Sequence, residues 1–313
     1  MRLVFMGTPD FAVPSLTALL HSDHHVVGVV TQPDRPKGRG QELAISPIKQ
    51  LTVQRRIPLL QPLKMKDPAF LDALSAWKPD LIVVAAFGRI LPKIILDLPS
   101  RHCINVHASL LPQYRGAGPI QWAIINGERE TGITTMLMDE GMDTGAILLQ
   151  ESMQIAPDDT AGTLSAKLAE VGGKLLIETL TQLEKGDLVP QPQDHARATM
   201  APLLKKEDGL LDWTLPAEQL ANRVRGLSPW PGAYTFVKGD RVMIWRAAAS
   251  GQSGGAAPGT VHSTTEDSIL VATGKGLLAV TELQPASGRR MSTAQYLAGH
   301  PLAPGFVLGN RDE

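Results

Sequence analysis

The sequence predicts an α/β domain with a mostly parallel, open sheet, followed by a small β domain similar to an OB barrel. Three observations carry this prediction. The 313 residues suit two domains, since domains run roughly 100 to 200 residues. From Met1 to about Asp143, short β-branched runs alternate with helical patterns, which is typical of strands joined by helices. Beyond residue 233 the runs are short and are separated by glycine turns, which favours a small barrel.

The first half contains five predicted strands. They lie at residues 2–6, 25–30, 57–60, 81–87 and 103–107, where β-branched and apolar residues form short runs. A helix over 11–20 follows the first strand. Two further helices are predicted where a capping residue precedes a proline, at Ser46-Pro47 and Asp67-Pro68.

The second half begins with an amphipathic helix over 161–185, because apolar residues recur there at spacings of three and four and Gly186 follows. This helix closes a predicted first domain of residues 1–187. Residues 188–206 start with prolines and show no clear period, so we interpret them as a linker. The predicted second domain, 207–313, has a helix near 216–225 and strands at 233–237, 241–248, 268–273 and 277–283.

The composition of the chain argues against several classes of protein. The formal net charge is -1, which argues against the globally basic surface of a nonspecific nucleic-acid binder. A single cysteine, Cys103, excludes an intrachain disulfide and a multi-cysteine metal centre. No segment approaches the ~20 apolar residues of a membrane helix. We therefore expect a cytoplasmic protein.

Ligands of an open parallel sheet bind at the carboxyl ends of its strands. The first strand ends at Gly7 with one glycine where a dinucleotide fold has three, which disfavours a nicotinamide cofactor. The fifth strand ends with Asn105 and His107. Side chains two residues apart on a strand share a face, so an amide donor and an imidazole are predicted to share one patch.

A turn between Gly141 and Gly145 supplies a third candidate, Asp143. Folded over the fifth strand, its carboxylate would orient His107. With no serine or cysteine nucleophile beside them, the three groups favour direct transfer, in which the amide binds an oxyanion and the other two manage a proton. The alternative, hydrogen-bonded polar groups and a polar turn without catalytic role, stays open at this point.

The motif Asn-Val-His-Ala-Ser-Leu-Leu-Pro-Gln-Tyr-Arg-Gly at 105–116, with Asp-Glu-Gly-Met-Asp-Thr-Gly at 139–145, resembles the formyltetrahydrofolate-dependent transformylases. Segments 1–11, 31–40 and 227–234 extend the resemblance across essentially the whole chain, to members that formylate initiator methionyl-tRNA for translation initiation. The resemblance implies a Rossmann-like formyltransferase domain that binds 10-formyltetrahydrofolate as co-substrate without a metal, and an OB-like domain that binds tRNA. We expect a monomer.

The resemblance also assigns residues. The catalytic residues are Asn105, His107 and Asp143. The folate site comprises residues from the exits of the fourth and fifth strands: Phe87, Gly88, Arg89, Ile90, Leu91, Ser109, Leu110, Leu111 and Pro112. Ile90 and Leu91 suit an ordinary core equally well. Predicted tRNA contacts are the basic residues Arg35, Lys37, Arg39, Lys205 and Lys206.

Three alternatives remain. A transformylase acting on a small amine, such as glycinamide ribonucleotide or an amino sugar nucleotide, would not require the basic loop 33–41. A noncatalytic RNA-binding protein would use cations such as Arg289 and Arg290, but 4% aromatic residues are too few for a stacking platform. A nicotinamide oxidoreductase lacks its glycine motif.

Overall fold

The computed structural model describes residues 1–37 and 42–309. They divide into two compact units. The N-terminal unit comprises 1–119, 130–154 and 165–202, and the C-terminal unit comprises 120–129, 155–164 and the described residues from 203 onward. The predicted domain bounds 1–187, 188–206 and 207–313 stay a prediction.

A seven-stranded sheet forms the centre of the N-terminal unit, in the order β5-β2-β1-β6-β7-β8-β9. The first five of these strands are parallel, and β8 and β9 are antiparallel, so the predicted mostly parallel sheet is confirmed. β3 and β4 pair separately. The strands of this half are β1 (Arg2–Gly7), β2 (His25–Val30), β3 (Arg35–Lys37), β4 (Glu42–Ala44), β5 (Leu59–Leu60), β6 (Leu81–Ala85), β7 (Cys103–His107), β8 (Glu130–Leu137) and β9 (Ile147–Gln154).

Helices flank these strands, and two start as predicted. The Ser46 hydroxyl accepts the N–H of Lys49 at 3.2 Å, and the Asp67 carboxylate accepts the N–H of Ala69 at 3.0 Å. The helices are α1 (Val13–Leu20), α2 (Pro47–Gln54), α3 (Pro68–Ala76), α4 (Lys93–Leu96), α5 (Pro119–Ile125) and α6 (Ala161–Lys185). No helix within the described residues is long and apolar enough to cross a membrane.

The core of the N-terminal unit lies on both faces of the central strands. Leu3 to Met6 on β1 are fully buried, and all five residues of β6 are buried, as expected for strands covered by helices on both sides. The predicted fourth strand is too long by two residues. It ends at Ala85 because Ala86 (φ 44°) and Gly88 (φ 74°) turn the backbone into the left-handed region.

The C-terminal unit contains an antiparallel sheet in the order β10-β11-β14-β13-β12, with β15 added beside β14. Its core includes Trp213, Leu220 and Val271, and the predicted small C-terminal β domain is confirmed, with its strands antiparallel. Its elements are α7 (Ala217–Gly226), β10 (Ala233–Val237), β11 (Asp240–Ala249), β12 (Val261–Thr264), β13 (Ile269–Ala272), β14 (Leu277–Pro285), β15 (Met291–Ser292) and α8 (Thr293–Gly299).

Candidate active site

Three adjacent parallel strands end at one edge of the large sheet. The register pairs Gly7 on β1 with Ala85 on β6, and Ala85 with Val106 on β7. The loops that leave these strands therefore start side by side, where ligands of open parallel sheets bind.

Asn105 and His107 project from β7 on the same face, two residues apart. Their neighbours on β8 are Met136 and Thr134. Asn105 is 9% exposed and His107 is 6% exposed, so both polar side chains are nearly shielded from water. Buried polar groups need hydrogen-bond partners, and the turn after β8 supplies one for Asn105 while the loop after β7 supplies one for His107.

Asp143 lies in the turn between β8 and β9 and contacts both groups. Its Oδ2 accepts the N–H of Gly116 at 2.8 Å and lies 3.7 Å from Nδ1 of His107. Its Oδ1 accepts an N–H of the Asn105 amide at 3.4 Å. The structure thus brings together the three residues that the sequence predicts to act together. Their catalytic roles stay a prediction.

The imidazole of His107 is held in one orientation. Its Nε2 lies 3.0 Å from the carbonyl oxygen of Tyr114, and a carbonyl only accepts, so Nε2 carries a hydrogen. Nδ1 then faces the Asp143 carboxylate. The two groups lie 3.7 Å apart, so this arrangement can pass a proton between the carboxylate and the imidazole.

The Asn105 amide is suited to donate to a substrate. One N–H points to Asp143, and within the described residues the amide nitrogen makes no second hydrogen bond. An amide has two such hydrogens, so the other one is available to an oxygen that gains negative charge. Chemically, such an arrangement can donate a hydrogen bond to an oxyanion beside a carboxylate–imidazole pair able to move a proton.

The exit of β6 contains the first group of predicted folate residues, and burial divides them. Phe87 and Leu91 are core residues at 2% and 3% exposure, whereas Ile90 is 74% exposed. Arg89 donates from Nη1 to the carbonyl of Leu63 at 2.8 Å. Ile90 therefore presents its side chain at the surface beside the edge, while Phe87 and Leu91 anchor the segment.

Gln32, which sequence reasoning missed, holds this exit in place. Its amide nitrogen donates to the carbonyls of Phe87 at 2.8 Å and Gly88 at 3.4 Å. Gly88 has φ 74°, and a Cβ there would lie 2.6 Å from the Gln32 amide nitrogen, so only glycine fits. Gln32 is the second residue after β2, and its position at a strand exit was the available signal.

The second predicted folate segment, Ser109 to Pro112, leaves β7 and is fixed by polar contacts. The buried Ser109 hydroxyl donates to the carbonyl of Gln113 at 2.6 Å. The N–H of Leu111 donates to Thr134 Oγ1 at 3.1 Å, and Gln150 donates to the Leu111 carbonyl at 2.9 Å. The serine hydroxyl therefore bonds within the loop and holds its conformation at the carboxyl end of β7.

The predicted tRNA residues lie in two places. Arg35 and Lys37 are in β3, and Arg39 lies outside the described residues. Lys205 and Lys206 are exposed in the C-terminal unit. At the base of the basic loop Asp34 pairs with Lys49.

Two more residues that sequence reasoning missed lie behind the site. Arg115 is 6% exposed and donates from Nε and Nη2 to the Gln193 side-chain oxygen, at 3.1 and 2.6 Å. The Gln193 amide nitrogen donates to the carbonyls of Asp143 at 2.9 Å and Gly145 at 2.7 Å. Arg115 belongs to the 105–116 motif and could have been singled out. A lone glutamine in an aperiodic, proline-rich segment gives no signal.

Metal chemistry has no candidate ligand set here. Within residues 1–37 and 42–309, no three His, Cys, Asp or Glu side chains are grouped to hold a metal ion.

Comparison with known families identifies both parts of the chain. Residues 1–180 match the family described as "Formyl transferase", and residues 203–301 match "Formyl transferase, C-terminal domain". With these matches, the fold and the site at the carboxyl ends of the parallel strands define a formyl transferase, which confirms the resemblance found in the sequence motifs.

Two relatives narrow the class. A methionyl-tRNA formyltransferase of Citrifermentans bemidjiense is 50% identical over 312 residues, 100% of this chain and 98% of that protein. A methionyl-tRNA formyltransferase of Desulfotalea psychrophila is 52% identical over 308 residues, 98% of this chain and 95% of that protein. The chain belongs to the methionyl-tRNA formyltransferase family.

A solved structure shares the fold at low sequence identity. The sugar 3N-formyl transferase WlaRD, determined in the presence of dTDP and 5-N-formyl-THF, has a TM-score of 0.68 and 17% identity. The match covers 92% of this chain and 99% of that chain, so the similarity in fold extends over both units.

Proposed function

We propose that this protein transfers a formyl group from 10-formyltetrahydrofolate to the α-amine of methionine carried by initiator tRNA, giving N-formylmethionyl-tRNA. Its family and its relatives at 50% and 52% identity support this function. The observation that carries the chemistry is the Asp143 carboxylate, placed between the Asn105 amide and the His107 imidazole.

In the proposed reaction the amine nitrogen attacks the formyl carbon, and the carbonyl π electrons move onto the formyl oxygen. The free N–H of Asn105 donates to that oxygen. The amine proton passes through Asp143 and His107, or a water held by them, to N10 of the folate. The bond from carbon to N10 then breaks, and tetrahydrofolate leaves.

The proposed folate site lies at the exits of β6 and β7. Phe87 to Leu91 and Ser109 to Pro112 leave neighbouring strands, next to the candidate catalytic groups. The similar fold of WlaRD, studied with 5-N-formyl-THF, agrees with a reduced folate as the formyl donor. The exposed Ile90 offers an apolar contact to a planar ring.

The proposed tRNA contacts are the basic loop after β2 and the two lysines of the C-terminal unit. If Arg39 contacts a phosphate, Arg39→Ala weakens tRNA use and lowers the slope of log affinity against log salt by roughly one unit or less. Binding of the formyl donor stays unchanged. We also propose that the protein acts as a monomer in the cytoplasm.

The test is a formyl-transfer assay with 10-formyltetrahydrofolate and three acceptors: methionyl-tRNA, glycinamide ribonucleotide and an amino sugar nucleotide. Formylation of methionyl-tRNA is expected, with Asn105→Ala slowed on the order of 10² to 10³-fold. A preference for either small amine, with methionyl-tRNA left unmodified, would overturn the proposal. Uncharged tRNA, which carries no methionine, is the control that the formyl group is transferred to the α-amine.

A further inference from the structure

Residues 191–201, which the sequence predicts as part of a linker, lie against the candidate active site. We name them the strap segment. Gln191 and Ile147 exchange backbone hydrogen bonds of 2.8 Å at the start of β9. At the other end, the N–H of Arg115 donates to Thr199 at 2.8 Å and the N–H of Ala201 donates to Arg115 at 2.7 Å. The strap segment thus contacts the chain on both sides of the Asp143 carboxylate.

Gln193 is a polar side chain of the strap segment that is buried, at 6% exposure. Its amide nitrogen donates to the carbonyls of Asp143 and Gly145, at 2.9 and 2.7 Å. Both hydrogens of that nitrogen are therefore committed to the turn that carries the catalytic carboxylate. The contact fixes the backbone on either side of Thr144.

Arg115 sets the orientation of this amide. Its Nε and Nη2 both donate to the Gln193 oxygen, and Nη2 also lies 3.1 Å from His195 Nδ1. A flipped amide would put its NH₂ group against the guanidinium, donor against donor. Arg115 therefore forces the NH₂ group of Gln193 toward the turn.

The Asp143 turn needs such support. Asp143 has φ 54°, a left-handed conformation that is strained for a residue other than glycine. The carboxylate also has to reach Gly116 while it faces Asn105 and His107. A displacement of about 1 Å at a reacting centre lowers a rate on the order of 10²-fold.

We propose that Gln193 and Arg115 are positioning residues for catalysis. They hold the backbone of the Asp143 turn, so that its carboxylate meets the amide and the imidazole together. The inference rests on the proposed formyl transfer and assigns an active-site role to the strap segment.

Gln193→Glu is the sharpest test, because the two side chains have the same shape. The glutamate still accepts from Arg115 but has no hydrogens for the carbonyls of Asp143 and Gly145. Two lost hydrogen bonds, each worth a factor of about 5 in an equilibrium, together with repulsion between oxygens, lower kcat about 10- to 50-fold. The KM values for both substrates stay within about threefold. Asp194→Ala is the matched control. Its carboxylate accepts the neighbouring Ala196 N–H at 3.0 Å and makes no other hydrogen bond within residues 1–37 and 42–309, so kcat stays within about twofold.

A double-mutant cycle separates positioning from general damage. In single-turnover reactions of Asp143→Asn, adding Gln193→Glu costs less than about threefold, because Gln193 acts through the carboxylate already removed. The same 10- to 50-fold loss in both backgrounds overturns the inference. Arg115→Lys, which keeps the charge without the fork, serves as a second variant and also lowers kcat.

The failure of this inference is distinct from failure of the proposed function. A wild-type protein that does not formylate methionyl-tRNA overturns the proposed function. An active wild type with equally active Gln193→Glu and Arg115→Lys variants overturns the positioning role alone.

Discussion

Replacing Asp143 with asparagine keeps the size of the side chain and removes its charge. If the new amide oxygen takes the place of Oδ2, it still accepts the N–H of Gly116, which lies 2.8 Å from Oδ2 in the wild type. The NH₂ group of the new asparagine then faces the NH₂ group of Asn105, which lies 3.4 Å from Oδ1 of Asp143 in the wild type. Asn105 has to flip its amide, which turns the donor away from the reacting oxygen.

Two losses set the magnitude. The imidazole of His107 loses the carboxylate whose Oδ2 lies 3.7 Å from Nδ1, and the attraction between opposite charges about 4 Å apart is worth roughly 1 to 4 kcal/mol. The turned Asn105 amide loses an oxyanion donor, which costs on the order of 10² to 10³ in kcat. Because both effects pass through one carboxylate they do not add fully. We expect kcat to fall about 10³- to 10⁴-fold, or about 4–5.5 kcal/mol.

Single-turnover formyl transfer to methionyl-tRNA, with enzyme in excess, measures this loss, and circular dichroism checks the fold. Asp139→Asn is the control in the same turn, since Asp139 bonds Gly141 and Thr144 rather than the catalytic groups. That control is expected to stay within about threefold of wild type. An Asp143→Asn protein that turns over at the wild-type rate would refute the role of the charge.

Three further predictions concern other parts of the N-terminal unit. Gln32→Met removes the donors that hold the carbonyl of Gly88, so KM for 10-formyltetrahydrofolate rises about 5- to 30-fold with little change in kcat; an unchanged KM contradicts this. Burial raises the pKa of Cys103 to about 12, so iodoacetamide at pH 8 labels the unfolded protein and spares the native one; rapid native labelling shows the prediction wrong. The hydrogen bond from Lys49 lowers the pKa of Asp34, so its stabilisation is present above about pH 4 and is lost as the pH falls through the native pKa. Wild type should melt about 1–2 °C above Asp34→Asn at pH 6 and no higher near pH 2, whereas a constant difference argues against the ion pair.

The strands that the sequence predicts well are short runs that contain Val or Ile. β2 and β7 match their predicted bounds, and Asn105 and His107 share a face because strand side chains alternate. β8 and β9 are absent from the prediction. Thr134 and Thr135 on β8 are fully buried, and their hydroxyls bond the Ser109 carbonyl and Thr179, at 2.6 and 2.8 Å. A strand that buries hydrogen-bonded threonines has no apolar pattern to recognise.

The residues of the candidate site likewise fall into those that the sequence predicts and those that it does not. Short motifs gave Asn105, His107 and Asp143, since each carries a chemically distinctive group next to a strand end or a glycine turn. Gln193 lies 50 residues from Asp143 along the chain and works through backbone carbonyls. No local pattern encodes such a contact, because it depends on where the segment after α6 returns to the sheet.

The strap segment also imposes an order in time. All three candidate catalytic residues leave the ribosome before Gln193 and Thr199 are synthesised, since translation proceeds toward the carboxyl end. A nascent chain that has emerged only as far as α6 holds the amide, the imidazole and the carboxylate, but nothing yet secures the turn between β8 and β9 from behind. On the positioning role proposed for Gln193, the site therefore reaches its full rate only after this segment has emerged and folded back onto the sheet.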